Sequence, residues 1–137
     1  MQVEEIIGKH PDVQGNTPER LSRCIAECYE CAQTCTSCAD ACLAEGEVAT
    51  LRQCIRVALD CADICAATGS MASRFTGTNV KVLRVVIQAC EQACRTCGEE
   101  CQKHAGQFGH CQTCAESCIR CADACSVAMT DGSFSGG

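Results

Sequence analysis

From Leu21 onward, apolar and sulfur-bearing residues recur every three or four positions, with polar and charged residues between them. Cys24, Cys28, Cys31, Cys35, Cys38 and Cys42 form one such series. Leu83, Ile87, Cys90, Cys94, Cys97 and Cys101 form a second, and Cys111, Cys114, Cys118, Cys121 and Cys125 a third. Cys54, Cys61 and Cys65 form a fourth, in which Ala58 occupies the slot where the pattern calls for a ligand. This is the period of a helix that turns one stripe toward a partner. No stretch alternates in the manner of a strand.

Punctuation residues set the ends. Thr17-Pro18-Glu19-Arg20 reads as an N-cap with a proline in the first turn, which opens a helix over about 18–44 that stops near Gly46. A second helix begins near Glu47 and runs to about 68, with Gly69 after it. Thr76-Gly77-Thr78-Asn79 is a loop and cap, a third helix covers about 79–104, and a fourth covers about 110–129 after the loop at 104–109. Residues 1–16 hold at most a helical turn at Val3–Ile7, and the Ser/Gly-rich tail from Asp131 is expected to fray. Short loops make neighbouring helices antiparallel. The expected fold class is therefore all-α. It is an up-down-up-down antiparallel four-helix bundle over about 18–129 with a cysteine-lined core, in a single domain spanning 1–137.

That topology sorts residues to two ends. Cys42, Leu51, Cys54, Cys101, His104, His110 and Cys111 gather at one, which is rich in ligands and reads as a mouth. Leu21, Cys24, Met71, Phe75, Val80, Leu83 and Met129 gather at the other, which is mostly apolar and reads as a plug.

Composition changes the picture because the stripe is sulfur. The chain has 137 residues, of which 18 are cysteine, and the thiols must supply much of the buried volume. A net charge of −6 argues against a phosphate-binding surface, and four aromatic residues (Tyr29, Phe75, Phe108, Phe134) make no stacking platform for nucleic acid. No apolar run approaches the ~20 residues that span a bilayer, and the acidic start Met1–Gly8 is no export signal. The chain reads as cytoplasmic, where thiols stay reduced.

Thiols four apart on a helix have Cβ atoms about 5–6 Å apart, too far for a disulfide. A metal ion between two sulfurs removes that difficulty. Cys24/Cys28, Cys31/Cys35, Cys38/Cys42, Cys61/Cys65, Cys90/Cys94, Cys97/Cys101, Cys114/Cys118 and Cys121/Cys125 then become two-sulfur sites along single helices. Thiolates select Cu(I), zinc or iron–sulfur clusters. Zinc in four thiolates leaves a buried double negative charge at each site, and repeating that is unfavourable. Cu(I) at about one per thiolate leaves the core near neutral. Zinc and iron–sulfur motifs also wrap loops around one compact centre, whereas these cysteines lie along continuous helices. Charge and geometry favour multiple Cu(I) ions, and an iron–sulfur electron carrier is the alternative.

The whole ladder resembles the bacterial cytosolic copper-storage proteins, which are cysteine-rich four-helix bundles, and the resemblance covers residues 18–129. It implies a store of many Cu(I) ions bound mainly by cysteine, assembled as a homotetramer. The sequence holds no Ser/His/Asp set, phosphate loop or paired acid and base, and is read as a storage protein and not an enzyme. Ala58 departs from the ladder and puts a copper position near Cys54 and Cys61 in question.

Outside the ladder, His104 and His110 flank the mouth, where an imidazole can relay Cu(I) or cap the outermost site. His10 reads as surface, and Met71 and Met129 as plug. Asp40, Asp60, Asp63 and Asp123 read as solvated charges, as do Glu27, Glu30, Glu99, Glu100 and Glu116. Val57, Val82, Val85 and Val86 fall partly off the stripe, where a subunit contact would sit.

Overall fold

A computed structural model describes residues 2–13, 19–75, 78–130 and 134. Among them every regular element is helical: α1 Gln2–Gly8, α2 Glu19–Leu43, α3 Arg52–Ala72, α4 Val80–His104 and α5 Gly109–Ala128. The four long helices carry all the cysteines. α2 packs on α3 and α5, and α4 packs on the same two, so the four enclose one core. The short α1 adds Ile7 to that core, with Val3 and Val13 against its edge. The Thr17–Pro18 cap and the Thr76-Gly77 part of the next loop lie outside the described residues.

The sulfur period builds the core directly. Each a/d position faces inward, and all 18 cysteines are buried as free thiols. Alanines such as Ala39, Ala115 and Ala122 fill the gaps between stripes, and each is buried. Gly98 brings α4 close to α5, since a Cβ there would sit 3.5 Å from the Cys118 Cβ and the Ile119 side chain.

Three boundaries differ from the sequence pattern. α3 starts five residues after Glu47, at Arg52. The segment between is a series of tight turns, with Thr50 N–H donating to the Glu47 carbonyl and Leu51 N–H to that of Val48. These turns lower Leu51 into the core, where it is fully buried. α3 also runs past Gly69 to Ala72. Gly69 is no stop signal: a Cβ there would lie 3.0 Å from the Tyr29 ring, so the glycine lets α2 lie against α3. Finally Phe134, within the segment expected to fray, is buried and packs on Phe75 with ring centroids 5.8 Å apart. Arg84 donates to its carbonyl.

The apolar end is a conventional hydrocarbon core. Leu21, Ile25, Leu83 and Ile87 are fully buried, and Met71, Met129 and Val80 pack at its margin. Protonated thiols pack as small hydrophobes, so the bundle is expected to fold without metal. Replacing Ile87 with alanine is therefore expected to destabilise the metal-free protein by about 2–5 kcal/mol. Urea unfolding followed by helical circular dichroism measures this. A parent chain that is helical only once metal is added would contradict it.

Candidate metal centre

The stripes of four helices meet as a ladder of sulfurs. At the apolar end Cys24 lies 3.7 Å from Cys125 and 3.9 Å from Cys28. Cys28 continues to Cys90 and Cys121, each at 3.8 Å. Cys65 joins Cys94 at 3.5 Å, Cys90 at 3.7 Å and Cys61 at 3.8 Å. Cys31 reaches Cys35, Cys118 and Cys61 at 3.7, 3.8 and 3.9 Å. Cys35 meets Cys118 at 3.6 Å and Cys114 at 3.7 Å. Beyond the Ala58 gap, Cys54 pairs with Cys101 at 3.5 Å, and Cys101 with Cys97 at 3.9 Å.

These separations fit ions better than bonds. A disulfide needs sulfurs about 2.05 Å apart. Two sulfurs that share an ion at about 2.3 Å each stand up to about 4.6 Å from one another. Groups of four thiols whose sulfurs all lie within 4.8 Å recur along the core. They include Cys28/Cys90/Cys121/Cys125, Cys31/Cys65/Cys94/Cys121, Cys31/Cys35/Cys61/Cys118 and Cys35/Cys97/Cys114/Cys118. Cysteines are shared between groups, so the arrangement suits bridging thiolates and a continuous cluster better than isolated four-ligand sites.

Neighbouring thiols divide the protons between them. Hydrogen bonding with Cys125 and then Cys28 pulls the Cys24 thiol down to about 5. Hydrogen bonding with Cys101 draws Cys54 down to about 7, against the opposing effect of burial. Cys28 and Cys65 are both pushed up by hydrogen bonding with Cys121. Burial first, then the charge of Cys54, pushes Cys111 up to about 12. At steps such as Cys24/Cys28 a thiol pulled down thus lies beside one pushed up.

The two mouth histidines differ. His110 Nδ1 lies 3.5 Å from the Cys38 sulfur, 3.7 Å from that of Cys111 and 4.0 Å from that of Cys42. Its Nε2 is 2.8 Å from Glu45 Oε2. The carboxylate orients the ring and leaves Nδ1 facing the sulfurs, as a partner on the far nitrogen commonly does for a ligating imidazole. His104 instead meets Glu100, at 3.2 Å from Nε2. The contact its ring makes is with that carboxylate.

Glu45 and Glu100 therefore belong to the site's surroundings. Glu100, read from the sequence as a solvated charge, retains 15% of its side-chain exposure. Burial pushes its carboxyl up, but hydrogen bonds from His104 and Lys103 outweigh this and hold it below its usual value. The spacing of four between Glu100 and His104 is a helical-pair signal that marks the contact in the sequence. Glu45 and His110 are 65 residues apart, and no local pattern links them. Asp40, Asp60, Asp63 and Asp123 are exposed, as the pattern requires, and His10 stays with the α1 segment, accepting from Asp12 N–H.

A family model described as copper storage protein matches residues 17–130, the four cysteine-bearing helices and their loops. The chain belongs to the copper storage protein family. Among solved structures, a Streptomyces lividans copper storage protein loaded with 10 copper equivalents is 48% identical. It aligns over 93% of this chain and 97% of its own, with a TM-score of 0.87. A second structure describes copper loading to a cytosolic copper storage protein from the same organism, with five coppers. It is 51% identical, covering 82% of this chain and 94% of that one at a TM-score of 0.80. The Bacillus subtilis (strain 168) protein YhjQ, described only as cysteine-rich, is 37% identical over 102 residues, covering 74% of this chain and 89% of that relative.

In this copper storage protein the Ala58 slot is a gap in the ladder rather than a surface position, because its side chain is fully buried. Ala58→Cys adds one sulfur to the stripe between Cys54 and Cys61 with little change in volume. The variant is expected to take up about one more Cu(I) than the parent at saturation, following one ion per thiolate. Competitive titration of both proteins against a Cu(I) chelator measures the difference. An unchanged endpoint would mean that position 58 lies outside the metal-bearing core.

Proposed function

We propose that the chain is a cytoplasmic Cu(I) store without enzymatic activity, a single domain whose 18 cysteines, with His104 and His110 at the mouth, hold many ions as a buried Cu(I)–thiolate cluster. The observation that carries this reading is the continuity of the sulfur ladder: steps of 3.7–3.9 Å lead from Cys24/Cys125 to Cys114, and Cys97, within 4.8 Å of Cys35, Cys114 and Cys118, carries it on to Cys101 and Cys54. An enzyme activates one thiol beside a base. Here sulfur is multiplied and shared, which suits capacity over turnover.

The proposed topology is an up-down-up-down antiparallel four-helix bundle with α1 as an appendage. Three contacts support it. Cys24 near the start of α2 meets Cys125 near the end of α5. Cys54 near the start of α3 meets Cys101 near the end of α4. Tyr29 in the first half of α2 meets Ser70 near the end of α3. A homotetramer is proposed from the family resemblance, and Leu59, Val82 and Val85 are exposed apolar residues available for such contacts. The acidic surface suits neither nucleic acid nor anionic membrane, and among the described residues no helix is long and apolar enough to cross a bilayer.

Anaerobic titration of the reduced metal-free chain with Cu(I) against a competing chelator tests the function. The expected endpoint is roughly 18 ions per chain, on the order of one per thiolate, in a protein colourless in the visible. Acidification is expected to lower the apparent affinity, since each sulfur must lose its proton to bind and protons compete for it as pH falls. An endpoint of one to four metals, or a brown protein carrying iron, would replace the storage reading with zinc or iron–sulfur chemistry.

A further inference from the structure

The chain carries a net charge of −6, yet three of its arginines line a single pocket. Arg20 and Arg23 come from the first turns of α2 and Arg120 from the middle of α5. The pocket, of about 230 Å³, lies between these two helices toward the apolar end, where Cys24 meets Cys125, and away from the histidines. Its carboxylates are already engaged. Half-buried Glu27 stands 3.6 Å from Arg120 Nε, and Asp123 stands 3.5 Å from Arg95 Nη2 on α4. Arg20 is held by a neutral partner: its Nη1 donates to the Thr130 hydroxyl at 2.8 Å and to the Thr130 carbonyl at 3.4 Å. Arg23 has Glu19 and Glu27 four residues away on either side and pairs with neither, and it has no other partner among the described residues. Two guanidinium charges therefore stand uncompensated beside a third that is loosely paired.

We propose that this pocket binds one small divalent oxyanion of the phosphate class. Guanidinium groups match the oxygens of such an anion through paired, charge-assisted N–H donors. The two uncompensated charges of Arg20 and Arg23 equal the charge of a phosphate dianion near neutral pH. Like charges three residues apart on one helix face repel, and an anion between them and Arg120 removes that repulsion while joining α2 to α5. The volume is below the about 300 Å³ at which pockets for larger small molecules begin, so it suits a single phosphate group with its waters. Ala124, buried in the pocket lining, contributes only a methyl group and leaves that space open.

The site is separate from the sulfur ladder. No cysteine and no histidine lines it, so the anion binds whether or not the thiols carry metal. It is also distinct from the extended basic face that nucleic acid requires, which the overall acidity of the chain excludes. One local pocket of arginines concentrates positive charge where the rest of the surface dilutes it.

Two measurements on the reduced, metal-free full chain test the site. In the first, inorganic phosphate and glycerol phosphate are titrated separately by calorimetry against a background of potassium chloride. One anion per chain is expected, with a Kd on the order of 1 mM, as suits an open pocket whose charges are partly screened. Binding of inorganic phosphate alone identifies the free ion as the ligand, and binding of both identifies a phosphate group whose substituent points to solvent. Binding of neither would overturn the proposal. Arg23→Gln and Arg120→Gln are each expected to weaken binding about tenfold, through loss of charge-assisted hydrogen bonds. Arg52→Gln, which removes the same charge from α3 outside the pocket, should bind like the parent. Equal weakening by Arg52→Gln would show a response to net charge and overturn the site. In the second, urea unfolding is followed at fixed protein concentration. With about 20 mM phosphate, linkage at that Kd raises the folding constant about twentyfold in the parent and about threefold in Arg23→Gln. The same rise in potassium chloride of matched ionic strength would overturn the proposal.

Discussion

The structure depends on one property of the cysteine side chain. As a thiol it is a small, weakly polar group that packs like a hydrophobe. As a thiolate it is a ligand for a soft cation. A core built from thiols at 3.5–4.0 Å spacing is therefore stable enough to fold and also able to accept charge, provided each proton lost is matched by a cation gained. Leucine in the same positions would give a more stable bundle with no capacity. Carboxylates there would be unable to stay buried without partners.

Capacity of this kind demands close helix packing, since sulfur is smaller than a leucine side chain and its reach is short. The chain meets the demand with small residues at particular places. Gly98 lets α4 approach α5 beside Cys118, and Gly69 receives the Tyr29 ring where α2 crosses α3. The hydrocarbon that sulfur cannot supply is concentrated at one end, where Leu21, Ile25, Leu83, Ile87 and the Phe75–Phe134 pair close the core. Stability and binding are thus spatially divided along the helices, and the stability region lies furthest from the histidines.

Charge is managed outside the ladder. The sulfur core approaches neutrality when filled with a monovalent cation, so acidic residues are placed at the surface or against the histidines. Glu45 on His110 Nε2 and Glu100 on His104 Nε2 set how each ring faces. The result differs between them: one imidazole looks into Cys38, Cys42 and Cys111, and the other is held by its own helix. Two histidines of equal standing in the sequence thereby take different positions relative to the metal-bearing core.

Periodicity alone determined the helices, the inward face and the identity of the core, because a residue's place on a helix follows from its number and every sulfur in the ladder obeys the same step. Charge balance between sulfur and cation pointed to copper from composition alone, since it depends on ligand type more than on position. The breaks were less legible. Gly69 reads as a stop in one dimension, and only the ring of Tyr29 against it in space makes it part of a helix. Glu47 reads as a helix start, but burial of Leu51 by successive tight turns delays α3 to Arg52. The His110–Glu45 pair and the approach of His110 to Cys38 depend on how α5 lies beside α2. Those are relations between segments distant in the chain, so tertiary packing, and no local pattern, decided what surrounds the sulfur core.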